Sequence, residues 1–130
     1  MFLRVYFVLI SKFIELTGRQ VMALDPAVKE RINKLVAEHK IFVFMKGTKL
    51  MPQCGFSNNV MQILNSFGIP FETFDVLSDP EIRQGIKEYS NWPTIPQVYM
   101  NGEFVGGSDI MIELYQKDEL KEMLTVALAS

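Results

Sequence analysis

Cysteine and histidine are almost missing from this 130-residue chain, which has one of each, Cys54 and His39. A lone cysteine excludes an internal disulfide framework and an internal dithiol pair. One cysteine and one histidine argue against a zinc site assembled by a single chain. A Ser-His-Asp enzyme would have to use His39, which lies apart from the motifs around Cys54, Trp92 and Gly106. Basic residues are not in excess either: 13 Lys and Arg stand against 15 Asp and Glu, a net charge of −2. No nucleic-acid partner is expected, because such a partner needs a basic face. Long apolar runs are absent as well. The opening MFLRVYFVLI is broken at Arg4 and falls short of the roughly 20 residues that cross a bilayer, so no membrane association is expected. What remains, at 48% hydrophobic and 22% charged, is one soluble domain whose single thiol is either inert or central.

Residues 1–24 differ in character from the rest of the chain. They carry Arg4, Lys12 and Arg19 against one glutamate, Glu15, and no small-residue cleavage site comes after the apolar stretch. Two readings stand: a basic targeting segment, or an over-extended gene start with translation from Met22. Without the segment the remaining domain, 25–130, carries a net charge of −4. The first reading places the protein in a plastid, the second in the cytoplasm.

From Asp25 the patterns are regular. Asp25-Pro26 is a helix start, and Val28, Ile32, Leu35 and Val36 carry a helix to about Glu38. Ile41–Met45 is a continuous apolar run, expected of a strand covered on both faces. A second helix comes after Cys54 and stops at Gly68 and Pro70, and Phe71–Val76 is a second strand. Asp79-Pro80 repeats the helix start. Asn101-Gly102, flanked by Gln97–Met100 and Glu103–Val105, is a hairpin signal. Gly106-Gly107-Ser108-Asp109 leads into a helix, and Leu120, Met123, Leu124, Ala127 and Leu128 make a last one, so the final helical region is expected to split in two. The order αβαβαββα, with a right-handed crossover between the first two strands, predicts an α/β fold: a four-stranded mixed sheet with helices on both faces.

Cys54 falls at the start of the second helix, where unpaired amides and the helix dipole favour an anion. Lys46 and Lys49 add positive charge, so the thiol pKa should lie below the free value of about 8.5. Ser57 stands where a resolving cysteine would be needed for an internal disulfide cycle. The segment Trp92-Pro93-Thr94-Ile95-Pro96 is a rigid connection. A cis bond there would turn Thr94 and Ile95 backbone groups toward a bound peptide, with Trp92 either core or site edge. Gly106–Asp109 can form a backbone nest for a carboxylate, with Asp109 available to an ammonium group. Lys46 and Arg83 are candidates for a second carboxylate. The methionines, Met111 and Met123 among them, read as core filler, and His39 as a helix C-cap. Together these groups suit a small zwitterionic peptide beside Cys54.

The residues Cys54-Gly55-Phe56-Ser57, with Met45–Thr48 before them and Trp92–Gln97 and Gly106–Ile110 after, resemble the monothiol glutaredoxins of the CGFS type. The likeness covers about Asp25 to Ser130 and is nearest to single-domain members of photosynthetic bacteria and plastids. It implies a thioredoxin fold with a cis bond before Pro96. It implies glutathione as ligand, with Lys46 and Arg83 near its glycyl carboxylate, Thr94, Ile95 and Pro96 along its backbone, and Ser108 and Asp109 at its γ-glutamyl end. It further implies a [2Fe-2S] cluster shared by two protomers, each giving the Cys54 thiolate and one glutathione thiolate. Expected partners are a second copy of the chain, BolA-like proteins, and cluster donors and acceptors. A glutathione-dependent thiol-disulfide oxidoreductase is the second reading, and a bare docking module the third.

Overall fold

The computed structural model describes residues 24–130; all but the last residue of the segment expected over 1–24, and with it both readings of that segment, lie outside them. Helix α1 (Pro26–Glu38) begins where the sequence places it. The Asp25 carboxylate accepts the Ala27 N–H at 2.8 Å, and Val28, Ile32 and Val36 form its buried face. His39 is the C-cap residue, but its ring stacks on Phe42, 5.5 Å between centroids, instead of reaching the last carbonyls.

Strand β1 (Ile41–Met45) is buried along its whole length because it is interior to the sheet, whose order is β2-β1-β3-β4. It pairs in parallel with β2 (Glu72–Asp75) and antiparallel with β3 (Gln97–Met100), which pairs antiparallel with β4 (Glu103–Gly106). Between β1 and β2 lies α2 (Gly55–Ser66), and between β2 and β3 lies α3 (Pro80–Ser90). The β3–β4 turn is the expected hairpin, with Asn101 and Gly102 both at positive φ, 51° and 82°, as the tight two-residue turn requires.

Alternation along the strands sends side chains to two cores. Ile41, Val43, Met45, Val98 and Met100 face α2, α4 (Ser108–Gln116) and α5 (Leu120–Ala129). Phe42, Phe44 and Tyr99 face α1 and α3, where Phe44 and Tyr99 meet edge-on at 5.6 Å. The structure is therefore the α/β layer arrangement that the element order predicts, with one departure. The second strand is shorter than expected, because Val76–Ser78 tighten into a 3-10 turn capped by Asp75. The last helical region is two helices, as the separate apolar pattern from Leu120 predicts, parted where Asp118 takes a left-handed φ of 62°.

Candidate functional site

Cys54 is the N-cap residue of α2, with an extended backbone at φ −151° and ψ 136°. An N-cap side chain faces the first free amides of its helix. The Ser57 and Phe56 N–H groups favour the thiolate, and the Lys46 ammonium and the Ser57 hydroxyl add to them. They outweigh partial burial, so the Cys54 thiol titrates below its ordinary value. The thiol is partly exposed, and a Cβ placed on Gly55 would meet nothing within 4 Å beyond its chain neighbours and its own helix backbone. The approach to the sulfur is open.

Ser57 does more than occupy the place of a second cysteine. It is fully buried, and its Oγ accepts the Lys46 N–H at 3.1 Å, tying the end of β1 to the first turn of α2. The loop between them is fixed by its own backbone: the Gln53 N–H donates to the Lys46 carbonyl at 2.9 Å, and the Thr48 N–H to that of Met51 at 3.2 Å. Gly47 has φ +94°, and its N–H donates to Asp75 Oδ1 at 2.9 Å. A Cβ there would lie 2.5 Å from the Gln53 nitrogen and the Met51 oxygen, so only glycine fits without a backbone shift. Lys49 does not join the thiol, as expected from its nearness in sequence. It hydrogen-bonds the Phe71 carbonyl, lies over the Phe71 ring, and is 3.6 Å from Glu72.

Cys54 opens on a groove of about 400 Å³. Lys46 and Phe56 stand beside the sulfur, Trp92–Pro96 form one wall, Gly107–Ile110 another, and Lys87 reaches in from α3. The Ile95–Pro96 peptide is cis, as the resemblance implies. Gln97, fully buried, holds this wall in place: its amide donates to the carbonyls of Trp92 at 3.1 Å and Thr94 at 3.2 Å, and accepts from the Tyr99 hydroxyl at 2.9 Å. Among the described residues no hydrogen bond engages the Ile95 N–H. On the facing wall Gly107 packs against the Pro96 carbonyl, which a Cβ would approach to 2.9 Å. The Ser108 hydroxyl is buried and accepts from Asn59 Nδ2 at 3.5 Å, while Asp109 is exposed at the start of α4.

The groove thus brings together Lys46, Cys54, Thr94, Ile95, Pro96, Ser108 and Asp109. Arg83 is not among its lining residues. It is exposed on α3, and Lys87, one helical turn on and on the same face, lines the groove in its place. Sequence reasoning misses Lys87, although its i+4 spacing from Arg83 is a usable signal. It also misses the role of Gln97, whose signal is one polar residue in an otherwise apolar strand. Trp92 belongs both to the wall and to the packing, with its ring 5.8 Å from that of Phe104. Among the described residues no cluster of three metal-binding side chains occurs.

Sheet order, helix placement and a thiol capping the helix after the first strand define a thioredoxin-fold protein with one working sulfur. The glutaredoxin family model matches residues 41–105, half of the chain. A ycf64-like monothiol glutaredoxin of Synechocystis, itself uncharacterised, is 78% identical over 107 residues, covering 82% of this chain and 100% of that protein. Chloroplastic monothiol glutaredoxin-S14 of Arabidopsis thaliana is 50% identical over 108 residues, which is 83% of this chain but 62% of that one. The solution structure of reduced poplar apo GrxS14 superposes with a TM-score of 0.73 at 53% identity, over 83% of this chain and 99% of that one. The chain belongs to the glutaredoxin family, in its monothiol branch.

Proposed function

We propose that this protein is a glutathione-dependent carrier of [2Fe-2S] clusters. The observation that carries the reading is one accessible thiol, Cys54, with its pKa lowered by helix amides and Lys46, in a chain that has no second cysteine to oxidise against it. Such a thiol cannot store a disulfide internally, but it can serve as a thiolate ligand. Four sulfur ligands then come from two chains and two glutathiones. Ligands borrowed from a small molecule that dissociates suit a protein that must release its cargo.

The groove fits glutathione by its chemistry. Lys46 and Lys87 are cations for carboxylate. The Ile95 backbone lies along the wall where an extended peptide would pair. The first amides of α4 at Ser108 and Asp109 favour an anion, and the Asp109 carboxylate suits an ammonium group. Arg83, one turn outside, is assigned to the same glycyl end. A buckwheat glutaredoxin solved as a glutathione complex shares the fold, with a TM-score of 0.70. The partners we assign are a second copy of this chain, a BolA-like protein, and donors and acceptors of clusters. We assign the cytoplasm as its location, or a plastid if residues 1–24 are a targeting segment.

Anaerobic incubation with iron, sulfide and glutathione tests the reading. The wild-type protein should turn brown with charge-transfer absorbance and become dimeric, and Cys54→Ser should stay colourless and monomeric. A colourless wild-type monomer would refute it. The open thiol with its lowered pKa also supports a second reading, removal of glutathione from mixed disulfides. Cys54 Sγ would attack the glutathione sulfur and expel the substrate thiolate. A second glutathione thiolate would then attack that adduct, freeing Cys54 and forming oxidised glutathione. Robust turnover on a small glutathione mixed disulfide would place this reading first.

A further inference from the structure

A second groove, about 910 Å³, runs between edge strand β4 and helix α5 and shares only Ile110 with the groove at Cys54. Its floor is apolar: Val105, Leu114 and Met123 are half-buried, and Val126 is 62% exposed. Its rim carries three exposed glutamates, Glu103, Glu119 and Glu122, with no lysine or arginine among the lining residues. Among the described residues none of the three forms an ion pair. Nothing in the thiol chemistry uses this face.

We infer that the groove docks an amphipathic helix of a partner protein, one whose apolar stripe is flanked by lysines or arginines. A trough floored by side chains from two helices and a strand receives the apolar face of a helix. Met123 and Met100 in the wall can adapt their shape to it. The sign of the rim selects the occupant, because unpaired carboxylates attract a cationic flank and repel an acidic one. A second copy of this chain is disfavoured on the same ground: a two-fold contact would set six glutamates face to face. The assignment is independent of what Cys54 carries.

Titration of the isotope-labelled full chain with a synthetic helix of leucines at i, i+3, i+4 and i+7 flanked by lysines, monitored by NMR, tests this. Shifts are expected at Glu103, Val105, Leu114, Met123 and Val126, but not at Cys54. The same peptide with glutamates in place of lysines should leave the spectrum unchanged. The triple change Glu103→Gln, Glu119→Gln, Glu122→Gln should weaken binding about tenfold, and added salt should weaken it further. The equally charge-reducing control Glu30→Gln, Glu38→Gln, Glu81→Gln should not. Val126→Lys, at an exposed position, should abolish binding with the fold intact. Equal binding of the glutamate peptide, or equal weakening by the control triple, would overturn the inference. So would groove shifts that depend on protein concentration alone, which would mean a second copy covers the face. Contacts from residues 1–23 to Val126 would do the same.

Discussion

The reactivity of Cys54 comes from its place at a helix start. The Ser57 and Phe56 amides and the Lys46 charge hold its pKa below the ordinary value, so alkylation by iodoacetamide should reach its half-maximal rate at a pH below about 8.5. Lys46→Gln should move that midpoint upward, since it removes a positive charge from beside the anion. The depressed folded value also fixes a sign for stability. The contribution of the ionised thiol is present above the unfolded pKa and lost as pH falls through the folded one. Gln97 is the second residue on which the site depends. Gln97→Leu should strand the Trp92 and Thr94 carbonyls and the Tyr99 hydroxyl, and lower stability by about 1–3 kcal/mol, measured by urea unfolding. The place of Cys54 was legible in the sequence, because helix starts and apolar runs are local patterns. The roles of Gln97 and Lys87 were not, because burial and direction of reach are set by segments distant in the chain.

Helix starts carry much of the local order. Asp79 caps α3, accepting the Ile82 N–H at 3.1 Å, and pairs with Arg31 of α1 at 2.6 Å. Asp79→Ala should therefore lower stability by about 1 kcal/mol for the cap, with a smaller addition for the partly exposed ion pair. Asp25→Ala loses a cap alone and should cost less. The Arg31 guanidinium holds the Asp79 carboxyl below the usual carboxylate range. Its contribution is thus present above about pH 4, the unfolded value, and is lost as pH falls through the lower folded value. Unfolding at pH 7 and at pH 2 should show the deficit of Asp79→Ala shrinking in acid. The Asp-Pro helix starts and the Asn101-Gly102 hairpin could be read directly, since each rests on one residue's own conformational preference. The 3-10 turn after β2 could not. It depends on Asp75 meeting both the Leu77 and the Gly47 amides, and Gly47 is distant in sequence. The split of the last helical region was legible, because Leu120, Met123, Leu124, Ala127 and Leu128 make a helical pattern of their own; the left-handed Asp118 that parts the two helices carries no such signal.

The whole molecule separates two grooves. One end of the sheet holds the thiol groove, built from the β1–α2 loop, the Trp92–Pro96 segment and the start of α4. The β4–α5 face holds the acidic, apolar groove. No helix among the described residues is long and apolar enough to cross a membrane. The element order was enough to give the layered α/β fold, because one apolar strand and its crossover leave few arrangements. The groove at Cys54 was read from its motifs and not from the element order, and the β4–α5 groove was not read at all, since it is a space between elements that no motif marks. The thiol groove provides one sulfur and room for one small peptide per chain. Native mass spectrometry of the anaerobically reconstituted protein bears on this most directly. The predicted species holds two chains, one [2Fe-2S] cluster and two glutathiones, and collapses to apo monomers when glutathione is removed. A cluster-bearing species without glutathione, or one that persists in Cys54→Ser, would contradict it.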